Sequence, residues 1–294
     1  MSHILRNKDL EVHVDLPLEN YNFSRFDWTG KIVRVKFQGI DITGIERMDP
    51  GSQNQVGKGF YNEFGIGHPP GFKEAAIGGW FHKIGIGALK KDSDAYLFHR
   101  AYEIDPAEFK TVARSDGISI SCESKNLGGF AYLLKKEILL LENGFTIYYR
   151  LENTGERSIV TTEYVHNFIA IDKQPLSSSY VLKFPFRIEP HAFGETVNPE
   201  NKITVGKDRF EFKATPEEQF FFSNLSGGRL VTGSWELINR DKKVSVREIA
   251  DFETNRVNLW GWTHVISPEL FFNIDLSPGR SVEWQRRYEI NKME

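Results

Sequence analysis

"GGFAYLLKKEILLLENGFTIYYRLENTG", residues 128–155, consists of two apolar and aromatic runs separated by Asn143-Gly144 and closed at both ends by turn formers. Runs of this kind read as paired strands. An Asn-Gly step between them is the place for a hairpin turn with positive φ. The same habit spreads outward, into "DGISISCES" before it and "GRLVTGSWELI" after it. In "GKIVRVKFQG", bracketed by Gly30 and Gly39, the residues Ile32, Arg34 and Lys36 alternate with Val33, Val35 and Phe37, as on a half-buried strand. Only "PPGFKEAAIGGW" and "DPAEFK" read as helical turns. With no long segment of 3.6-residue period, the expectation is an all-β chain with less than about a quarter of its residues in helices.

The 294 residues carry no fixed-period repeat, low-complexity tract or Pro/Ser-rich linker, so one domain spanning 1–294 is expected. Many strands in so long a chain point to a large β-sandwich with broad sheets, and a broad sheet that curves offers a concave groove where a saccharide can lie. With 37 Lys+Arg against 40 Asp+Glu and no basic block, nucleic acid is excluded as an expected partner. Cys122 is the only cysteine, which rules out an intrachain disulfide and a thiolate metal cluster. The start, "MSHILRNKDLEVHVDLP", lacks the pattern of a signal peptide, and no stretch approaches eighteen consecutive apolar residues. The expectation is a cytoplasmic protein without a membrane partner.

Phosphate-loop, zinc-helix, nucleophile-elbow and dinucleotide signatures are missing, and none of the eight histidines is paired at metal-ligand spacing. In "TTEYVHNFIAID", residues 161–172, strand parity places Tyr164, His166 and Phe168 on one face, with Glu163, Val165, Asn167, Ile169 and Ile171 on the other. His166 then reads either as a hydrogen-bonded core ring or as a group aimed at a substrate. Near the C-terminus, Ile266, Leu270, Phe272, Ile274 and Leu276 form an apolar row, and Glu269 projects the other way with Phe271 and Asn273. A carboxyl beside aromatic rings has a raised pKa, which suits a general acid or base. The alternative is an exposed outer-face glutamate.

"RFDWTGKI" (25–32), "NEFGI" (62–66), "KIGIGAL" (83–89), "LENTG" (151–155), "TTEYVHNF" (161–168) and "SPELFFNIDLSPGRSVEW" (267–284) occur in this order. The set resembles the galactose mutarotase-like superfamily, in its aldose 1-epimerase-related branch. That resemblance implies a β-supersandwich and cofactor-free interconversion of the α and β anomers of a free sugar. It implies His166 as the acid that protonates the ring oxygen and Glu269 as the base that takes the C1 hydroxyl proton. The two side chains are expected to flank a space about one pyranose ring wide, and direct contact between them to leave no room. The chain departs from the classical members in reading "GKGFYNEFG" where they carry an arginine-containing stretch, and their His-Gly-Gly element has no counterpart.

Glu63 and Lys83 lie within these motifs and read either as clasps for sugar hydroxyls or an acidic sugar group, or as a structural salt bridge. Arg25 and Trp28 read as rim residues or as turn stabilisers. Trp260, Trp262 and His264 read as a stacking surface or as core aromatics. The expected substrate-binding set is therefore Glu63, Lys83, Asn167, Arg25 and Trp262, with no metal and no cofactor. The expected partner is a small-molecule carbohydrate, and the reading leaves room for a homodimer. Two other functions stay open: a non-catalytic carbohydrate-binding or regulatory protein on the same fold, and a domain accompanying a carbohydrate lyase or hydrolase.

Overall fold

The computed structural model describes residues 2–49 and 54–293. Strands hold 51% of the residues and helices 2%, far below the quarter set as the ceiling. A front sheet runs through His3–Arg6, Leu10–Asp15, Lys31–Phe37, Phe60–Phe64, Ile159–Asn167, Val265–Leu276, Val257–Trp262, Phe220–Phe222 and Thr196–Val197, with Ile40–Asp41 paired onto Lys31–Phe37. A back sheet runs through Ile203–Val205, Arg209–Phe212, Tyr180–Lys183, Val231–Asn239, Val244–Thr254, Ser281–Lys292, Gly144–Asn153, Tyr132–Leu140, Gly117–Glu123 and Glu108–Ala113. A small third sheet joins Trp80–Lys83, Gly87–Lys90 and Ile104–Pro106.

The main core lies between the two large sheets, where Val12, Ile32, Val35 and Val165 of the front meet Ile118, Leu134, Ile147, Leu237 and Tyr288 of the back. A second cluster covers the other face of the front sheet. There Tyr61, Phe168 and Val265 pack with Phe26 and with Phe81 and Leu89 of the small sheet. The front sheet is thus covered on both faces over part of its area, and the candidate site lies on the face turned away from the main core.

Polar groups also tie the two large sheets together. Arg286, fully buried, donates to Glu163 at 2.7 Å and to Glu248 at 2.6 Å. The Trp284 and Trp235 indoles donate to Glu163 and Glu248 respectively. Asn62 donates to Glu163 at 2.6 Å, and Lys136 reaches both Asn62 and Asp27. Burying charges in this way costs solvation, and the charge-assisted bonds from one guanidinium to two carboxylates, with indole and amide donors beside them, offset the loss. Burial pushes the Glu248 pKa up against the pull of Arg286.

Three local expectations are corrected. The strand Lys31–Phe37 does not alternate strictly, because a bulge opposite His13/Val14 leaves Val33 as the extra residue. Ile32 therefore joins Val35 and Phe37 in the main core, and Val33 packs against the second cluster. "DPAEFK" is strand: Pro106 ends Ile104–Pro106, and Glu108–Ala113 pairs with Gly117–Glu123 as the sheet edge. Asn143 and Gly144 join two strands as expected, but neither takes a positive φ. Gly144 is required by close approach, since a Cβ there would lie 1.9 Å from the Tyr288 carbonyl oxygen. "PPGFKEAAIGGW" forms successive turns, one closed by Ala75 N–H donating to the Gly71 carbonyl at 3.0 Å and a later one by Gly79 N–H donating to the Ala76 carbonyl at 2.9 Å.

Candidate functional site

Antiparallel register sets the site. Ile159–Asn167 pairs on one side with Phe60–Phe64, placing Tyr164 opposite Glu63 and His166 opposite Tyr61. On its other side it pairs with Val265–Leu276, placing Tyr164 opposite Phe271; two residues further along, His166 meets Glu269. Val257–Trp262 continues the sheet with Asn258 opposite Glu269, and Arg256 accepts a hydrogen bond from the Phe271 N–H. Two rows therefore cross four strands on one face: Tyr61–His166–Glu269–Asn258 and Glu63–Tyr164–Phe271–Arg256. The period-2 pleat sends the intervening residues inward. Asn62, Glu163 and Asn167 thus belong to the network between the sheets, each directly beside a residue of the rows.

In the first row His166 Nε2 lies 3.4 Å from Glu269 Oε1. The expected gap one pyranose ring wide is not there. His166 is 3% exposed and Glu269 5%. The imidazole stacks on Phe168 at 4.0 Å and touches Trp260 edge-on at 5.0 Å, and its Nδ1 has no hydrogen-bond partner. Of its ring neighbours Phe26, Tyr164, Phe168 and Trp260, only Trp260 is not buried. Burial, helped by the Arg25 charge, holds the His166 pKa well below the ordinary imidazole value. Burial pushes Glu269 up to about 8, with Glu63 adding to the rise and Arg25, Arg256 and a hydrogen bond from Asn258 opposing it. The two pKa values are driven apart, each toward the uncharged form: a protonated carboxyl and a neutral imidazole.

In the second row Glu63 accepts from Arg25 Nε at 2.9 Å, Lys83 Nζ at 3.1 Å and the Tyr164 hydroxyl at 2.7 Å. Its burial opposes ionisation, yet Lys83, Arg25 and these hydrogen bonds hold its carboxyl below the usual range. Lys83 also donates to the Tyr96 hydroxyl, and Arg25 reaches Glu46 at 3.3 Å with its guanidinium over Phe98. The structural salt bridge weighed for Glu63 and Lys83 is thus present, and Arg25 completes it.

The structure gathers His166, Glu269, Glu63, Lys83 and Arg25 on one face. Asn167 it turns the other way: the side chain donates to the Pro268 carbonyl and to Glu248 and accepts from the Tyr288 hydroxyl, which leaves it facing the core. The reason is parity, since neighbours of His166 on a strand point inward. Trp262 lies on the site face but is pinned at the rim, where its indole donates to the Glu217 carbonyl at 2.9 Å. Trp28 is buried in the second cluster with its indole donating to the Phe23 carbonyl. Tyr164, Asn258, Arg256 and Tyr96 are not among the expected site residues, whereas Trp260, weighed as a stacking surface or a core aromatic, lies against His166. Parity on paired strands would have indicated the first two, given the register, but the register is not written in any single strand.

Among the described residues no group of three potential ligands is gathered for a metal, and no helix is long and apolar enough to cross a membrane. No family model matches the chain, and no curated protein matches it. Solved structures do. A galactose mutarotase related enzyme from Lactobacillus acidophilus superposes with a TM-score of 0.61 at 10% identity, covering 100% of this chain and 98% of its own. A galactose mutarotase-like protein from Lactobacillus casei gives 0.60 at 11%, covering 99% and 100%. An aldose epimerase homologue from C. elegans gives 0.53 at 11%, covering 100% of both chains. The chain has the galactose mutarotase-like fold along its length.

Proposed function

We propose that this protein is an aldose 1-epimerase-like isomerase that interconverts the α and β anomers of a sugar through one acid–base pair, His166 and Glu269. The observation that carries this reading is the buried contact between the two groups at 3.4 Å, with the carboxyl pKa raised to about 8 and the imidazole pKa lowered. Opposed shifts of this kind suit one group to give a proton and the other to take one.

Anomer exchange acts on two oxygens of the same carbon, the C1 hydroxyl and the ring oxygen. Two groups in near contact can therefore serve both once they part around that O–C–O unit; a gap of a whole ring is not required. His166 Nε2 takes the proton of the C1 hydroxyl as the Glu269 carboxyl gives its proton to the ring oxygen, and the C1–ring-oxygen bond breaks. The products are the open-chain aldehyde, a carboxylate and an imidazolium. Rotation about C1–C2 turns the other carbonyl face to the ring oxygen. Reversal of both transfers closes the ring and restores the pair. These roles are the opposite of those implied by the resemblance, and the direction of the pKa shifts favours them. The Glu63 cluster, held by Arg25, Lys83 and Tyr164, supplies a rigid flank.

The burial of both groups also supports a second reading, a carbohydrate-binding protein without turnover. One experiment separates the two. Freshly dissolved, anomerically pure aldoses, neutral and acidic, are followed by polarimetry with and without the protein. Acceleration of at least one sugar above the buffer rate is expected; binding without acceleration of any sugar would select the second reading.

A further inference from the structure

Arg256 stands at the solvent end of the row that contains Tyr164 and Phe271. Its guanidinium lies 3.8 Å from the centroid of the Phe271 ring, which in turn stacks at 4.5 Å on Tyr164. The backbone beneath it is fixed: Thr254 Oγ1 donates to the Arg256 and Phe271 carbonyls and accepts from the Arg256 N–H. The side chain is exposed, and among the described residues no carboxylate or other acceptor takes its N–H donors. A guanidinium held over an aromatic ring with free donors is the preorganised state of an arginine that recognises a planar or tetrahedral oxyanion.

Charge bookkeeping across the two rows points the same way. Arg25 and Lys83 are answered by Glu63 and Glu46, the first pair of contacts lying at 2.9 and 3.1 Å. Burial shifts His166 and Glu269 each toward the uncharged form. Arg256 is left as the cation without a counter-charge. It sits two strand residues from Asn258, the neighbour of Glu269, a span of about 7 Å along the strand. That is about the reach from an anomeric carbon to a substituent on the far side of the ring.

We infer that Arg256 binds an anionic substituent of the sugar, a phosphate or carboxylate on the exocyclic carbon, and so selects acidic over neutral aldoses. The inference rests on the site's being a sugar site, and its test separates the two. Glucose, glucose 6-phosphate and glucuronate are titrated calorimetrically into wild type, R256Q and R256K, and the anomer exchange of each sugar is measured by NMR. At least one acidic sugar should bind wild type about 10-fold or more tighter than glucose, and R256Q should cut that advantage about 10- to 100-fold, with R256K keeping part of it. The preferred acid identifies phosphate or carboxylate as the group read. An acidic sugar that binds through Arg256 without accelerated exchange would uphold this inference and defeat the isomerase reading. Exchange or binding in which the acidic advantage is missing, or survives R256Q, would overturn it whatever the turnover.

Discussion

At the residue scale, Glu269 decides most. Folding raises its pKa above the unfolded value, so its contribution to stability is complete below the ordinary value of 4.5 and is lost as pH rises through about 8. E269Q cannot ionise and should gain on wild type across that window, by roughly 1.4 kcal/mol per pH unit in its middle. Urea unfolding of both proteins at pH 5, 6.5 and 8 measures this, and a stability difference that does not change with pH would contradict it. His166 has the opposite sign. Its folded pKa is depressed, so its contribution is present above the unfolded 6.5 and is lost as pH falls below it. Sequence marked both residues, the one by its motif and the other by its aromatic neighbours, but not their contact, which needs the register of two strands some hundred positions apart.

At the scale of elements, the front-sheet strands carry the site on one face and a polar network on the other. Removing Arg286 leaves Glu163 and Glu248 facing each other in the core without their shared cation. R286M should cost about 3–5 kcal/mol in urea unfolding. The triple variant R286M/E163Q/E248Q should recover much of that loss, because it removes the orphaned charges. An equal loss in both variants would show that packing, not charge, sets the cost. A second test concerns Gly57, where a Cβ would come within 2.4 Å of the Phe168 ring that stacks on His166. G57A should shift that ring and lower sugar turnover about 10-fold or more; unchanged turnover would show that the stack does not position His166.

Strands were legible in the sequence because alternation and turn residues are local. The bulge at Val33 was not, because a bulge is defined by the partner strand, here Leu10–Asp15. "DPAEFK" is strand against its local preference, because its residues lack strand propensity and pairing with Gly117–Glu123 overrides it. The inward turn of Asn167 follows from the parity that sends His166 outward, so adjacent residues of one strand cannot both face the same site.

For the whole molecule, the fold puts the buried His166–Glu269 contact against the Trp260 ring and beside the Glu63 ionic cluster, and the proposal is that this pair opens and closes a sugar ring. In the proposed mechanism His166 and Glu269 act as one unit, so each substitution alone should remove most of the rate and the double variant little more. The most direct measurement is NMR magnetisation transfer between the α and β anomers of the sugar that wild type accelerates, repeated with H166N, E269Q and H166N/E269Q, each first shown to be folded. The account predicts that each single variant loses about 10²-fold or more of the catalysed rate while still binding the sugar, and that the double variant is no slower than about the worse of the two. Single variants that exchange the anomers as fast as wild type would contradict it.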